Sequence, residues 1–206
     1  MLIELLFENP LAFFCLSIPL IYAIVFHEVA HAYSAYVLGD RSQRWYGRLT
    51  LNPLKHLDPI GTLTLFLFGF GWAKPVPVNF YSLRDTKWAT IFVSASGILT
   101  NILLAFFSLF LIKVLAFSFG SVPYLVLSYF ARVNIILASF NLIPIPPLDG
   151  SKILMGFVSG DLKYTLIKLE PYGFYIIIAL LLLGVLDPIV ESIRSLIVAL
   201  LELIVS

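Results

Sequence analysis

Residues Leu11–Leu38 read LAFFCLSIPLIYAIVFHEVAHAYSAYVL. A helix needs ~20 mostly apolar residues to cross the hydrocarbon core of a bilayer, and this run supplies them. Its last third carries His27, Glu28 and His31. Ionisable side chains within a span are costly and point to function by default, so the same stretch announces both a membrane fold and a reactive site. Pro19 predicts a kink within it. Met1 to Asn9 has two Glu and no Lys or Arg, and no small-residue cleavage site follows the apolar run, so a retained first span is expected rather than a signal peptide.

The whole chain agrees with this reading. Of its 206 residues, 60% are hydrophobic and 12% charged, whereas soluble domains are near half apolar and about a quarter charged. We therefore expect one integral-membrane domain over residues 1–206. A net charge of +1 gives no case for nucleic acid. A single cysteine, Cys15, rules out a disulfide framework and a Cys-rich metal site.

Further apolar runs follow at Ala89–Phe119, Tyr124–Leu142 and Tyr172–Leu186. Gly61–Trp72 is too short to span and reads as a re-entrant segment. Asp187–Ser206 is apolar with scattered charge and either returns through the membrane or lies on it; Asp149–Pro171 reads as a partly polar connector. Lys and Arg concentrate in the loops after the first span, before the second and after the third, while Gly120–Pro123 has none. These loops share one side only if Gly61–Trp72 does not cross, and the cation bias makes that side cytoplasmic. Trp45–Asn52 alternates loosely, and Lys74–Asn79 is extended by its prolines, as an edge strand would be. The expected fold is an all-α polytopic membrane protein, a bundle of about four to six transmembrane helices with a re-entrant segment and a small membrane-associated β-sheet.

His27 and His31 are four residues apart, so on a helix they share a face and can bind one Zn²⁺. Glu28 can act as general base on a zinc-activated water. A pair of buried, hydrogen-bonded histidines would explain one polar residue but not three at this spacing. A catalytic zinc needs a third protein ligand, for which His56, Asp58, Asp149 and Glu170 are candidates. Depth favours Asp149. The histidines lie ~10–17 Å from the end of their helix at 1.5 Å per residue, and the chain returns to that level on irregular, Pro-broken backbone after Leu142. Asp149-Gly150 read alone is equally a turn. Gly97 and Asn101 fall at the same depth in the second long span. Helix packing accounts for Gly97, while for Asn101 packing and support of a metal site are equally good readings.

Three motifs in order, His27-Glu28-Val29-Ala30-His31, Gly97-Ile98-Leu99-Thr100-Asn101 and Asn141-Leu142-Ile143-Pro144-Ile145-Pro146-Pro147-Leu148-Asp149-Gly150, resemble those of the site-2 protease family of intramembrane zinc proteases. The likeness runs from Phe26 to about Leu154. Gly47–Pro59 resembles the compact, mainly prokaryotic type without PDZ or CBS domains. The resemblance implies that Asp149 is the third zinc ligand beside His27 and His31, that Glu28 is the catalytic base, and that Asn141 assists substrate or oxyanion binding. Asn101 and His56 are secondary candidates for the same service. It further implies a transmembrane protein substrate, a lipid bilayer as surroundings, and a site facing the cytoplasmic side of the cell membrane. The competing expectation is a zinc-binding transporter or scaffold without protease activity. Transporters show repeated halves and a charged through-path, and neither is visible here.

Overall fold

A computed structural model describes residues 2–69, 71–79, 82–84 and 86–205. After a short helix α1 (Leu2–Glu8), α2 runs unbroken from Pro10 to Val37. Asn9 caps it by accepting from the Ala12 N–H at 3.1 Å, and Pro10 occupies the first turn, where no donor is needed. The helix continues through Pro19. The other long helices are α4 (Thr86–Val114) and α5 (Val122–Asn141), which pack with α2 into a three-helix core. Four segments are long and apolar enough to cross a membrane: 10–37, 87–114, 122–141 and 160–182. The protein is an integral membrane protein, and large side chains such as Phe92, Leu99, Leu103 and Phe107 stand exposed on the outer face of α4, where lipid solvates them.

The re-entrant segment is built by α3 (Pro59–Phe68), ten residues or ~15 Å long. Asp58, one of the candidate ligands, is its N-cap and accepts from the Gly61 N–H at 2.8 Å. Gly69 stops the helix in the left-handed conformation (φ 76°). The returning chain then comes back beside the entry: Leu57 and Ala73 form an antiparallel bridge, and the Lys74 N–H donates to His56 O at 2.8 Å. Both ends of the segment therefore lie together, as a segment that does not cross requires. Phe70, inside the expected segment, is outside the described residues.

The expected β-sheet does not form among the described residues; the Leu57–Ala73 bridge is isolated. In the expected strand Trp45–Asn52, Trp45 closes a helical turn that begins at Ser42, and the residues after it form turns and bends. Lys74–Asn79 is extended, but side chains hold it where a neighbouring strand would. Arg48 donates to the carbonyls of Lys74 (3.0 Å), Pro75 (2.9 Å) and Lys55 (2.8 Å). Gln43 donates to Pro77 O at 2.9 Å, and Asp40 accepts from the Asn79 N–H at 2.8 Å. Pro75 and Pro77 have no N–H to offer a ladder, so an arginine, a glutamine and an aspartate take over its role. We refer to 74–79 as the strap.

A second difference concerns the expected connector Asp149–Pro171, which is largely helical: α6 spans Asp149–Phe157 and α7 spans Gly160–Leu169. Asp149 thus opens a helix rather than lying on irregular backbone. The irregular stretch ends one residue earlier, where Leu148 is extended (ψ 155°). A carboxylate in the first turn is favoured by the positive end of the helix dipole. After α8 (Gly173–Leu182), the last helix α9 (Leu186–Val205) lies lengthwise along the bundle. Leu186 packs with Ile143 and Ile177 at one end, and Ile197 and Leu201 join Ile98, Ala105, Ile135 and Ala138 further along.

Candidate metal centre and active site

His27 and His31 point from α2 toward Asp149 at the head of α6. His27 Nε2 lies 3.1 Å and His31 Nε2 3.0 Å from Asp149 Oδ2, and the two Nε2 atoms are 3.0 Å apart. All three residues are buried. The opposite ring nitrogens reveal the tautomers. His31 Nδ1 faces the carbonyl of Val93 at 2.7 Å, and a carbonyl only accepts, so Nδ1 carries the proton. His27 Nδ1 faces Asn101 Oδ1 at 2.6 Å. The Asn101 amide is oriented by its own NH₂, which donates to Ala23 O at 3.2 Å and to Asn134 Oδ1 at 2.7 Å. Its oxygen is therefore the atom turned to His27, which must donate from Nδ1.

In the neutral rings both Nε2 atoms are then lone pairs converging on a carboxylate oxygen, and three such acceptors repel one another unless a proton or a metal cation sits among them. Two imidazole nitrogens and one carboxylate oxygen form the donor set of a three-ligand catalytic zinc site. Donors bound at 2.0–2.2 Å in tetrahedral array stand ~3.3 Å apart, close to the separations found. The residues present fit the metal. Each histidine also has its other nitrogen fixed by an acceptor, the usual arrangement behind zinc-bound imidazoles.

Small residues make the convergence possible. A Cβ added at Gly97 would stand 2.6 Å from both His27 Cε1 and His31 Nε2, so α4 passes against the two rings only because this position has no side chain. A Cβ at Gly150 would collide with the Leu142 and Ile143 carbonyls, so Gly150 lets α6 start directly under the end of α5.

Glu28 is half-buried, and among the described residues its carboxylate makes no hydrogen bond. It lines two cavities. A small one, about 130 Å³, holds His27, His31, Asp149, Ser94, Asn141 and Lys152 under Val76 and Val78 of the strap. A larger one, about 540 Å³, runs from Glu28 between α2, the re-entrant segment and α8, past Leu20, Leu65, Trp72 and Phe174 to Glu170 at its edge. Asn141 lines both and donates from Nδ2 to Leu137 O at 3.0 Å. His56 is placed differently: its buried ring bonds Thr50 O at 2.8 Å and lines neither cavity. Burial pushes its imidazole below the ordinary value, more than the Thr50 bond and the charge of Glu28 raise it. Sequence reasoning passed over Asn134 and took Lys152 only as a connector cation. Asn134 carried a usable signal, since a second buried amide in an apolar span is costly without a partner.

A family profile described as Peptidase family M50 matches residues 118–184, which include the Asn141–Gly150 motif. A candidate zinc metalloprotease of Bacillus subtilis (strain 168), YwhC, is 40% identical over 174 residues, covering 80% of this chain and 78% of the relative. A second, from Methanocaldococcus jannaschii, is 34% identical over 132 residues, 63% of each chain. Rip2 of Mycolicibacterium smegmatis, also a candidate zinc metalloprotease, is 29% identical over 174 residues, 80% of this chain and 65% of its own. This chain thus spans about two thirds of those last two relatives. No solved structure matches it. The family match and these relatives make the membrane bundle a zinc metalloprotease. The chain belongs to peptidase family M50, the site-2 proteases.

Proposed function

We propose that this protein hydrolyses peptide bonds within or beside the transmembrane segments of membrane-protein substrates, with His27, His31 and Asp149 holding zinc and Glu28 as general base. The observation that carries this is the meeting of three potential metal donors beside a half-buried carboxylate that makes no hydrogen bond among the described residues, in a cavity within a membrane bundle. Zinc, when bound, supplies a Lewis acid that polarises the scissile carbonyl and lowers the pKa of a water toward ~7. Glu28 takes the proton of that water and returns it to the leaving amine. Asn141 has one amide N–H committed to Leu137 O; its second N–H and the Lys152 ammonium can face the developing oxyanion.

A regular substrate helix hides its carbonyls, so the segment must unwind. The strap gives an extended substrate a place to bind. Its carbonyls at 74, 75 and 77 are taken from one side by Arg48 and Gln43, whereas the N–H and C=O of Val76 and Val78 have no partner among the described residues. Both residues line the site. Free backbone pairs two residues apart are what an added strand uses. The larger, mostly apolar cavity leads to Glu28 and suits the apolar flank of such a substrate. Cations at Arg41, Arg44, Lys55, Lys152, Lys163 and Lys168 lie toward the end of the bundle near the site, and 115–121 at the other end has none. The cation bias supports a cytoplasm-facing site in the cell membrane.

Bound metal and cleavage of single-span fusion proteins should be measured for wild type, Glu28→Gln and Asp149→Asn. Glu28→Gln should keep zinc and lose cleavage; Asp149→Asn should lose zinc. Cleavage retained by Glu28→Gln refutes the mechanism, and zinc binding without cleavage in wild type favours a scaffold.

A further inference from the structure

A second polar centre lies where α5 faces α9, in a cavity that runs from mid-bundle toward the end away from His27. Arg132 is near the midpoint of α5, ~15 Å from Val122. Its guanidinium makes no hydrogen bond or ion pair among the described residues. An unpaired arginine at that depth is costly, and such residues pair or line a cavity. Arg132 does the second: it lines a cavity of about 620 Å³ between α4, α5 and α9.

Tyr124 and Ser128 line the same cavity. With Arg132 they are spaced four residues apart, so they form one polar stripe descending α5 from its distal end. Across the cavity, α9 runs antiparallel to α5 and ends where Lys113 donates to Val205 O. Arg194 lies ~16 Å back from Val205, which puts it at the depth of Arg132. Arg194 is held by Glu191, Nε to Oε2 at 2.7 Å and Nη2 to Oε1 at 2.5 Å. Glu202 also lines the cavity but lies roughly 10 Å further out along the helix axes. At the level of Arg132 the one nearby carboxylate is already taken, and the remaining walls are aliphatic.

We propose that this cavity binds the phosphate headgroup of an anionic phospholipid. Arg132 is the anchor, and Tyr124 and Ser128 form the hydrogen-bonding ladder between it and the membrane surface. A guanidinium fork matches two phosphate oxygens bidentately. Aliphatic walls beside a polar stripe fit an amphiphile better than a free anion, and the bilayer supplies one.

The test uses the full chain in nanodiscs of phosphatidylcholine alone and of phosphatidylcholine mixed with phosphatidylglycerol. Retained lipid is read by native mass spectrometry and stability by thermal unfolding. Wild type should retain phosphatidylglycerol selectively and unfold at a higher temperature with it. Arg132→Gln should weaken that retention at least tenfold, Arg132→Lys should weaken it less, and Glu202→Gln should leave it unchanged. If Arg132→Gln does not fold, Ser128→Phe fills the cavity without altering its charge and should abolish the selectivity. Selectivity surviving in Arg132→Gln or Ser128→Phe overturns the proposal. So does equal stabilisation by inorganic phosphate, which marks a free-anion site, or a loss in Glu202→Gln matching that of Arg132→Gln, which marks an internal ion pair.

Discussion

Replacing Gly97 with alanine tests whether the close passage of α4 sets the metal centre or only packs two helices. The added methyl would stand 2.6 Å from His27 Cε1, 2.6 Å from His31 Nε2 and 2.7 Å from His27 Nδ1, where ordinary contact begins at 3.4 Å. Rings or backbone must yield by ~0.8 Å, more than the ~0.5 Å within which a metal constellation stays productive. The rings have little freedom to slide, because Asn101 and the Val93 carbonyl anchor their Nδ1 atoms at 2.6 and 2.7 Å. Overpacking of this kind costs ~1–3 kcal/mol. If the strain falls on the ligands, zinc affinity drops ~5- to 150-fold. The assay is chelator-competition titration of zinc on the purified protein in detergent, with unfolding of the zinc-free protein followed in parallel. Leu99→Ala, on the lipid-facing side of α4, is the control and should bind zinc as wild type does. A folded Gly97→Ala protein that binds zinc within about twofold of wild type would show that α4 can retreat without disturbing the donors, and the reasoning would fail.

Asn101→Ala removes the acceptor that orients His27 and should weaken zinc binding ~10- to 100-fold in the same titration, with Asn134→Ala having a smaller effect through Asn101. Arg48 is buried, and Arg48→Gln withdraws its donors from the carbonyls of Lys55, Lys74 and Pro75; it should cost roughly 1–3 kcal/mol and raise hydrogen exchange over residues 74–79 well above that of α5. Asp40 lies outside the spans, and although burial opposes its ionisation, hydrogen bonds from Ser42, Asn79 and Gln43 hold its carboxyl below the usual value. Its folded pKa is depressed, so its contribution to strap stability is complete above the ordinary carboxylate value of ~4 and fades as pH falls through the lower folded one. Exchange at the Asn79 amide should show that acid dependence in wild type and lose it in Asp40→Asn. Zinc bound to the folded chain stabilises it by mass action, so chelation should lower the unfolding temperature of wild type and have little effect on Asp149→Asn.

The features legible in the sequence were those that depend on local spacing. His27 and His31 share a face because a helix repeats every 3.6 residues, and the shortness of Gly61–Trp72 was enough to predict a segment whose ends meet at Leu57 and Ala73. The sheet failed because alternation and prolines describe an extended chain without saying what it bonds to. Only the folded arrangement shows Arg48 and Gln43 occupying carbonyls 26 to 34 residues away. Asp58 was a candidate ligand as a carboxylate of the connector; Pro59 after it was the better clue, since an Asp-Pro pair is also how a helix begins. Asp149–Leu169 was obscured by its polar residues, which read as a connector although Asp161, Lys163, Thr165 and Lys168 lie on the exposed face of a short helix and Asp149 and Ser151 are buried at the head of another.

The hydrogen bonds that orient the candidate ligands are also the ones that hold the bundle together. Asn101 on α4 joins His27 and the Ala23 carbonyl on α2 to Asn134 on α5, so a single amide cross-links all three core helices and fixes a tautomer. Substitutions along that line must alter stability and metal affinity together. The strap is attached differently, by Asp40, Gln43 and Arg48 from the loop after α2, and shares none of those bonds. Changes there can alter how a substrate is held while the donors stay in place. A variant series should therefore separate into two groups, one in which zinc affinity and unfolding temperature fall together and one in which cleavage changes at constant zinc affinity. The boundary between them should run between the core helices and the strap.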